Sequence, residues 1–297
     1  MENKLTVSDY SSDYALTAGS FHPKSAPGFL TLEEIVRAYG KLGVDGIELN
    51  HGYWESRSAQ QLRRLVEDAG TSVVCYVFFV NLALPSTARV NALGEAERLL
   101  DRTAALGAER AFVVPAEVVP DYTLDQQAGW LVEGVRELAE QAARRGLLVI
   151  SENIDYPPVR PLMGTAAQCR QICEQVGSPT FRLIYDACAP VFVEEESLDG
   201  LRTMFPFVAH VHLKNTRPIG PGEVRERTLD SNGGRRYTGT KLADGVVDIA
   251  GVVSELRKMG YRDYIQVEYQ GEEHPTNALR ENIEYVRTLM AATVRTA

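Results

Sequence analysis

Residues 130–154, WLVEGVRELAEQAARRGLLVISENI, hold one complete repeat of the chain's organisation. Apolar positions recur every three or four residues up to Arg145, as in an amphipathic helix, Gly146 closes it, and LLVISENI then reads as a short buried strand. The same alternation extends in both directions. LEEIVRAYGKLG at 32–43 is a helix ending on glycine and leads into VDGIELN at 44–50. The remaining strand candidates are YALTAGS (14–20), SVVCYVFFV (72–80), RAFVVPA (110–116), FRLIYDA (181–187), VAHVHLKN (208–215) and DYIQVEYQ (263–270), which makes eight. Eight strands with following helices in 297 residues predict a closed parallel (β/α)8 barrel, a single domain over residues 1–297. An open doubly wound sheet would show fewer strands and a glycine-rich first turn. No G-x-G-x-x-G follows the first strand, so no nucleotide cofactor is expected.

With 44% hydrophobic residues the chain can bury a large core. Its net charge of -9 argues against nucleic acid as a partner, because phosphate binding leaves a basic footprint. Cys75, Cys169, Cys173 and Cys188 form no C-x-x-C pair and no disulfide framework, and read as buried thiols. The N-terminus lacks the charged-then-apolar order of a secretory signal, and no apolar run approaches the roughly 18 residues of a membrane span. A cytoplasmic protein with a small-molecule substrate and no membrane partner is expected; a homo-oligomer is compatible with the sequence. One connection is long, residues 216–247, rich in Gly, Arg and Pro, and reads either as a lid or as a solvated loop.

Active sites of (β/α)8 enzymes lie at the C-terminal ends of the strands. Four successive strands end there in polar residues set among apolar ones: Ser151-Glu152-Asn153, Tyr185-Asp186, His210-Val211-His212-Leu213-Lys214-Asn215 and Gln266-Val267-Glu268. Three carboxylates brought together in a barrel mouth repel one another unless a cation joins them. Glu152, Asp186, His212 and Glu268 therefore read as ligands of one divalent metal, and an oxygen-rich set with one imidazole suits Mn(II) first, then Mg(II) or Co(II). Candidate substrate contacts are His210 and Lys214, which share the alternation of His212, together with Asn153, Glu48, His51 and Arg217. Glu117 is a weaker candidate, and Tyr53, Trp54 and Phe79 are candidates for an aromatic wall against a sugar.

These residues bring the chain to a known family: it resembles the xylose isomerase-like TIM barrels, the sugar phosphate isomerase/epimerase group, over nearly its whole length. The landmarks are GVDGIELN (43–50), SEN (151–153), IYDA (184–187), HVHLKN (210–215), ADGVVDI (243–249) and GYRDYIQVEYQG (260–271). In relatives the strand-five glutamate, strand-six aspartate, second histidine of H-x-H and strand-eight glutamate bind the metal, and these fall on Glu152, Asp186, His212 and Glu268. Two departures stand out. Ketose 3-epimerases carry a histidine just after the strand-six aspartate, where this chain has Ala187-Cys188-Ala189-Pro190, and many relatives end strand seven in H-x-K-D, where this chain has Asn215.

The resemblance implies proton abstraction beside a carbonyl to give an enediolate, with Glu152 and Glu268 as base and acid. Returning the proton to the other face is epimerisation, and returning it to the neighbouring carbon is isomerisation. Expelling a β-oxygen is dehydration or lysis, on a keto sugar, keto-inositol or 3-keto-glycoside. Two readings from other classes compete with these: an abasic-site endonuclease, whose three-metal cluster needs many histidines where this chain has five and a negative net charge, and a noncatalytic barrel that binds a sugar derivative or a partner protein, which loss of a ligand would have supported.

Overall fold

The computed structural model describes residues 3–15, 30–114, 117–154 and 161–292. Eight parallel strands close a barrel: β1 Leu5–Ser8, β2 Gly46–Asn50, β3 Val73–Phe78, β4 Arg110–Val113, β5 Leu148–Glu152, β6 Phe181–Asp186, β7 Val208–Leu213 and, after an insertion, β11 Tyr264–Val267. The last strand pairs with both β7 and β1, so no edge remains. Around it run α1 Leu32–Lys41, α2 His51–Trp54, α3 Ala59–Asp68, α4 Ser86–Leu106, α5 Leu124–Ala143, α6 Ala166–Val176, α7 Ala189–Phe192, α8 Ser197–Met204, α9 Ile249–Lys258 and α10 Pro275–Ala291.

The expected first strand is corrected. Tyr14 and Ala15 end a 3-10 helix over Asp9–Ala15, residues 16–20 lie outside the described residues, and the barrel begins instead with the four-residue run LTVS. The helix expected from Trp130 starts earlier, at Leu124, because Thr123 and Gln126 form a capping box that supplies the first turn's missing partners. The same device opens α1 at Thr31, α3 at Ser58 and α6 at Thr165.

Alternation along each strand sorts the side chains into two cores. Outward residues such as Tyr76, Phe78, Val149, Leu183, Tyr185, Val211, Leu213 and Ile265 pack under the helices. A smaller apolar set, including Cys75, Val77, Phe112, Ile150, Ile184 and Tyr264, fills the barrel interior. All four cysteines are buried thiols.

The long connection is ordered. Asn215–Pro218 (β8), Leu229–Asp230 (β9) and Arg236–Thr240 (β10) form a three-stranded antiparallel sheet in the order β8-β10-β9. It docks on the segment after β11: a Cβ on Gly239 would lie 2.4 Å from the Gln270 carbonyl oxygen, so only glycine allows this approach. Asn215 staples its base. The side-chain amide donates to the Leu242 and Val247 carbonyls (2.8 and 3.0 Å) and accepts from the Thr216 and Val247 amides (2.9 Å each). Aspartate, the residue of many relatives, accepts but cannot donate, and would lose both contacts, leaving the Val247 carbonyl only the Ile249 amide.

Candidate metal centre and active site

Strand register gathers the polar groups. Asp186 and Gln266 flank His212 in the two neighbouring ladders, and Glu152 ends the strand beyond β6. All face the barrel interior and are buried, as are Glu48, Glu268 and Lys214. His212 is central: Nδ1 lies 3.2 Å from Glu268 Oε2 and 3.6 Å from Glu152 Oε2, while Nε2 lies 2.9 Å from the Gln266 amide nitrogen and 3.7 Å from Glu48 Oε2. Glu152, Asp186 and His212 each offer a ligand atom within 4.8 Å of the others. Lys214 bridges Asp186 Oδ2 (2.7 Å) and Glu268 Oε1 (3.2 Å), and Gln270 also donates to Glu268 Oε1 (2.9 Å).

Charge balance tests whether these residues fit a metal. Four buried carboxylates, Glu48, Glu152, Asp186 and Glu268, face one lysine and one imidazole. His212 Nδ1 is fully buried with no hydrogen-bonding partner, although carboxylate oxygens stand on either side of it. Orphaned buried polar atoms are few in native proteins and each calls for an explanation, a missing ion among them. An imidazole nitrogen among carboxylate oxygens is the donor set of a divalent cation, and the residues fit one.

The same surroundings set the protonation of the acids. Burial and the nearby Asp186 push Glu152 up to about 7, against the pull of His212 and Lys214. Burial also acts upward on Glu268, but Lys214 and His212 outweigh it and hold that carboxyl well below the usual range. For His212 burial works against the charged form, and the carboxylates of Glu152, Glu268 and Glu48 overcome it and raise the ring well above its ordinary value.

The remaining candidates lie elsewhere. Asn153 is spent on the backbone of Asp186, donating to its carbonyl (3.0 Å) and accepting from its amide (2.8 Å), which orients the aspartate. His210 sits one layer deeper than His212, accepts at Nδ1 from Arg110 (3.1 Å) and stacks on Tyr264. His51 faces the helical layer, with Nδ1 2.7 Å from the Tyr76 hydroxyl, which accepts from Arg102 (2.6 Å). Arg217 is engaged by both oxygens of Glu223 (2.6 and 3.1 Å). Of the aromatic wall, Trp54 is corrected: it is fully buried and its indole N–H donates to Asp9 (2.8 Å). Tyr53 packs against the core, Phe79 is 57% exposed, and Glu117 is exposed.

Sequence reading missed Asp9, which directly follows β1, is fully buried and accepts from the Asn50 amide as well as from Trp54. Misplacing the first strand hid it. Thr6 and Gln266 were also missed, because neither stands out beside charged residues.

The chain belongs to the xylose isomerase-like TIM barrel family, whose description matches residues 36–289. Among curated proteins it is 28% identical over 245 residues to a 2-epi-5-epi-valiolone 7-phosphate 2-epimerase of Actinoplanes sp., covering 77% of this chain and 82% of that one. An inosose dehydratase of Erwinia tasmaniensis is 31% identical over 162 residues, 52% of this chain and 51% of that protein. Among solved structures, the IOLI protein with a binding zinc atom superposes with a TM-score of 0.72 at 16% identity, covering 97% and 96% of the two chains. The named relatives are thus epimerases and dehydratases of sugar-like compounds, and among the described residues no helix is long and apolar enough to cross a membrane.

Proposed function

We propose that this protein is a divalent-metal-dependent epimerase or isomerase of a polyhydroxylated ketone, with Glu152, Asp186, His212 and Glu268 as metal ligands, and Glu152 and Glu268 as the acid–base pair. The observation that carries the reading is the convergence of the two glutamates on His212 Nδ1 from separate strands, at 3.6 and 3.2 Å. When bound, a divalent cation, Mn(II) by preference, supplies the positive charge that makes the carbon beside a chelated carbonyl acidic. One glutamate takes that proton and the other returns one from the opposite side. Lys214 holds Glu268 and Asp186 in place and offers a donor to a substrate oxygen. Burial of these side chains strengthens the charge interactions among them.

A second reading uses the same proton abstraction and then expels a β-hydroxyl. The inosose dehydratase matches support it, although each of those relatives is covered over only about half its length. The missing histidine after Asp186 also leans away from a ketose 3-epimerase.

The test is proton NMR in D2O with the metal-reconstituted enzyme and a panel of ketoses, keto-inositols and 3-keto-glycosides. Solvent deuterium in an epimer or isomer supports the first reading, and loss of water supports the second. A folded, metal-loaded protein that exchanges no α-proton in any of them overturns both.

A further inference from the structure

Beneath the proposed metal centre, three side chains on adjacent barrel strands form a lateral chain. Thr6 on β1, Gln266 on β11 and His212 on β7 occupy one register row, pairing Thr6 with Gln266 and Gln266 with His212, and all three are fully buried. The Thr6 hydroxyl lies 3.3 Å from Gln266 Oε1, and Gln266 Nε2 lies 2.9 Å from His212 Nε2. We propose that Gln266, backed by Thr6, is the positioning residue that fixes which nitrogen of His212 meets the metal.

The argument rests on the metal reading above and follows from proton placement. If Nδ1 faces the cation, as its place between Glu152 and Glu268 implies, it must present a lone pair, so the ring proton sits on Nε2. A buried N–H needs an acceptor. Glu48 Oε2, 3.7 Å away, is beyond hydrogen-bond reach, whereas the Gln266 amide is within it. A carboxamide is nearly symmetric in shape, so a half turn puts Oε1 where Nε2 lies and lets it accept from His212. The displaced NH2 then needs an acceptor, and a hydroxyl supplies one because it donates or accepts by rotating. Thr6 therefore satisfies Gln266 in either orientation.

The experiment measures Zn(II) and Mn(II) affinity by calorimetry for the parent, Gln266→Met, Gln266→Glu and Thr6→Val, with His212 nitrogen NMR of the zinc-loaded parent. Gln266→Met is expected to weaken metal binding by about 10- to 100-fold. Gln266→Glu, which restores an acceptor, should stay within a few-fold of the parent, and Thr6→Val should fall between. The NMR should show zinc on Nδ1 and a slowly exchanging proton on Nε2. Zinc on Nε2, or parental affinity in Gln266→Met, overturns the inference while leaving the metal centre standing. If Gln266→Met fails to fold, the parent spectrum decides alone. A parent that binds neither ion overturns the metal reading itself, and this inference with it.

Discussion

His210 and His212 lie two residues apart on β7 with ring centroids 5.2 Å apart, yet they sit in opposite electrostatic surroundings. Around His210, at the N-terminal end of the barrel, the cation is built in: Arg110 meets His210 Nδ1, covers the Tyr264 ring with its guanidinium 4.3 Å from the centroid, and pairs with Asp263 at 2.6 Å. Burial, with His212 and Arg110 nearby, lowers His210 well below the usual range, so it is a neutral ring. Around His212 the carboxylates outnumber the cations. Two polar clusters share one barrel interior and each leaves a buried ring nitrogen without a partner, His210 Nε2 and His212 Nδ1, but only around the second do carboxylates outnumber the cations. Burial of charge alone therefore does not mark a site; the imbalance does.

Four measurements would break or sharpen that contrast. The largest effect belongs to Glu152→Gln and Glu268→Gln, each expected to lower kcat by about 100-fold or more with the fold retained by circular dichroism. Activity near the parental level in either variant removes that residue from the acid–base pair.

Next, saturating Mn(II) should stabilise the chelator-stripped protein by about 2.7 kcal/mol at 100 times its dissociation constant, read as a shift in the urea midpoint. No shift would mean that the carboxylates around His212 need no cation. Arg110→Met, by contrast, should cost about 2 kcal/mol, because it leaves a buried ring nitrogen without a donor. It should leave Mn(II) affinity within a few-fold of the parent, and a large loss of affinity would show that the two clusters act as one.

The last effect is set by pH and concerns Asp9, a fifth carboxylate at the crowded end, which burial and the nearby Glu48 push up to about 7, against its hydrogen bonds from Asn50 and Trp54. Its folded pKa lies above the unfolded value of about 3.9, so the folded state binds the proton more tightly. Stability contributed by this group is present at acid pH and lost as pH rises towards about 7, by up to about 1.4 kcal/mol per pH unit. One oxygen, Oδ2, receives both the Asn50 amide (2.9 Å) and Trp54 (2.8 Å), so Asp9→Asn can keep both contacts without the charge. The stability gap between Asp9→Asn and the parent, from denaturation at about pH 5 and about pH 8, should widen towards the alkaline side. A gap independent of pH would refute the buried-charge description.

Most of the barrel was legible because a parallel strand buried on both faces is an apolar run and each helix announces itself by period and cap. Val73–Phe78 and Phe181–Asp186 fall inside the expected ranges. Leu5–Ser8 did not register, since four residues carry too little pattern to outweigh the longer YALTAGS stretch. In the candidate site, carboxylates among apolar residues were conspicuous because their burial is costly. The uncharged Thr6 and Gln266 were not, and what they and Asn153 do depends on cross-strand register that a single sequence does not display. The opposed fates of His210 and His212 were hidden for the same reason: alternation puts them on one face and says nothing of depth.

The staple at Asn215 has a consequence for the length of the insertion it closes. It ties the Leu242 and Val247 carbonyls to the chain just past the strand that carries His212, so the excursion between leaves and re-enters the barrel at nearly one point. The entropic cost of a loop whose ends are pinned grows only slowly with its length. Segments of other sizes can therefore be exchanged at this junction with little strain on the barrel, so the insertion can change in length while the barrel beneath it stays as it is.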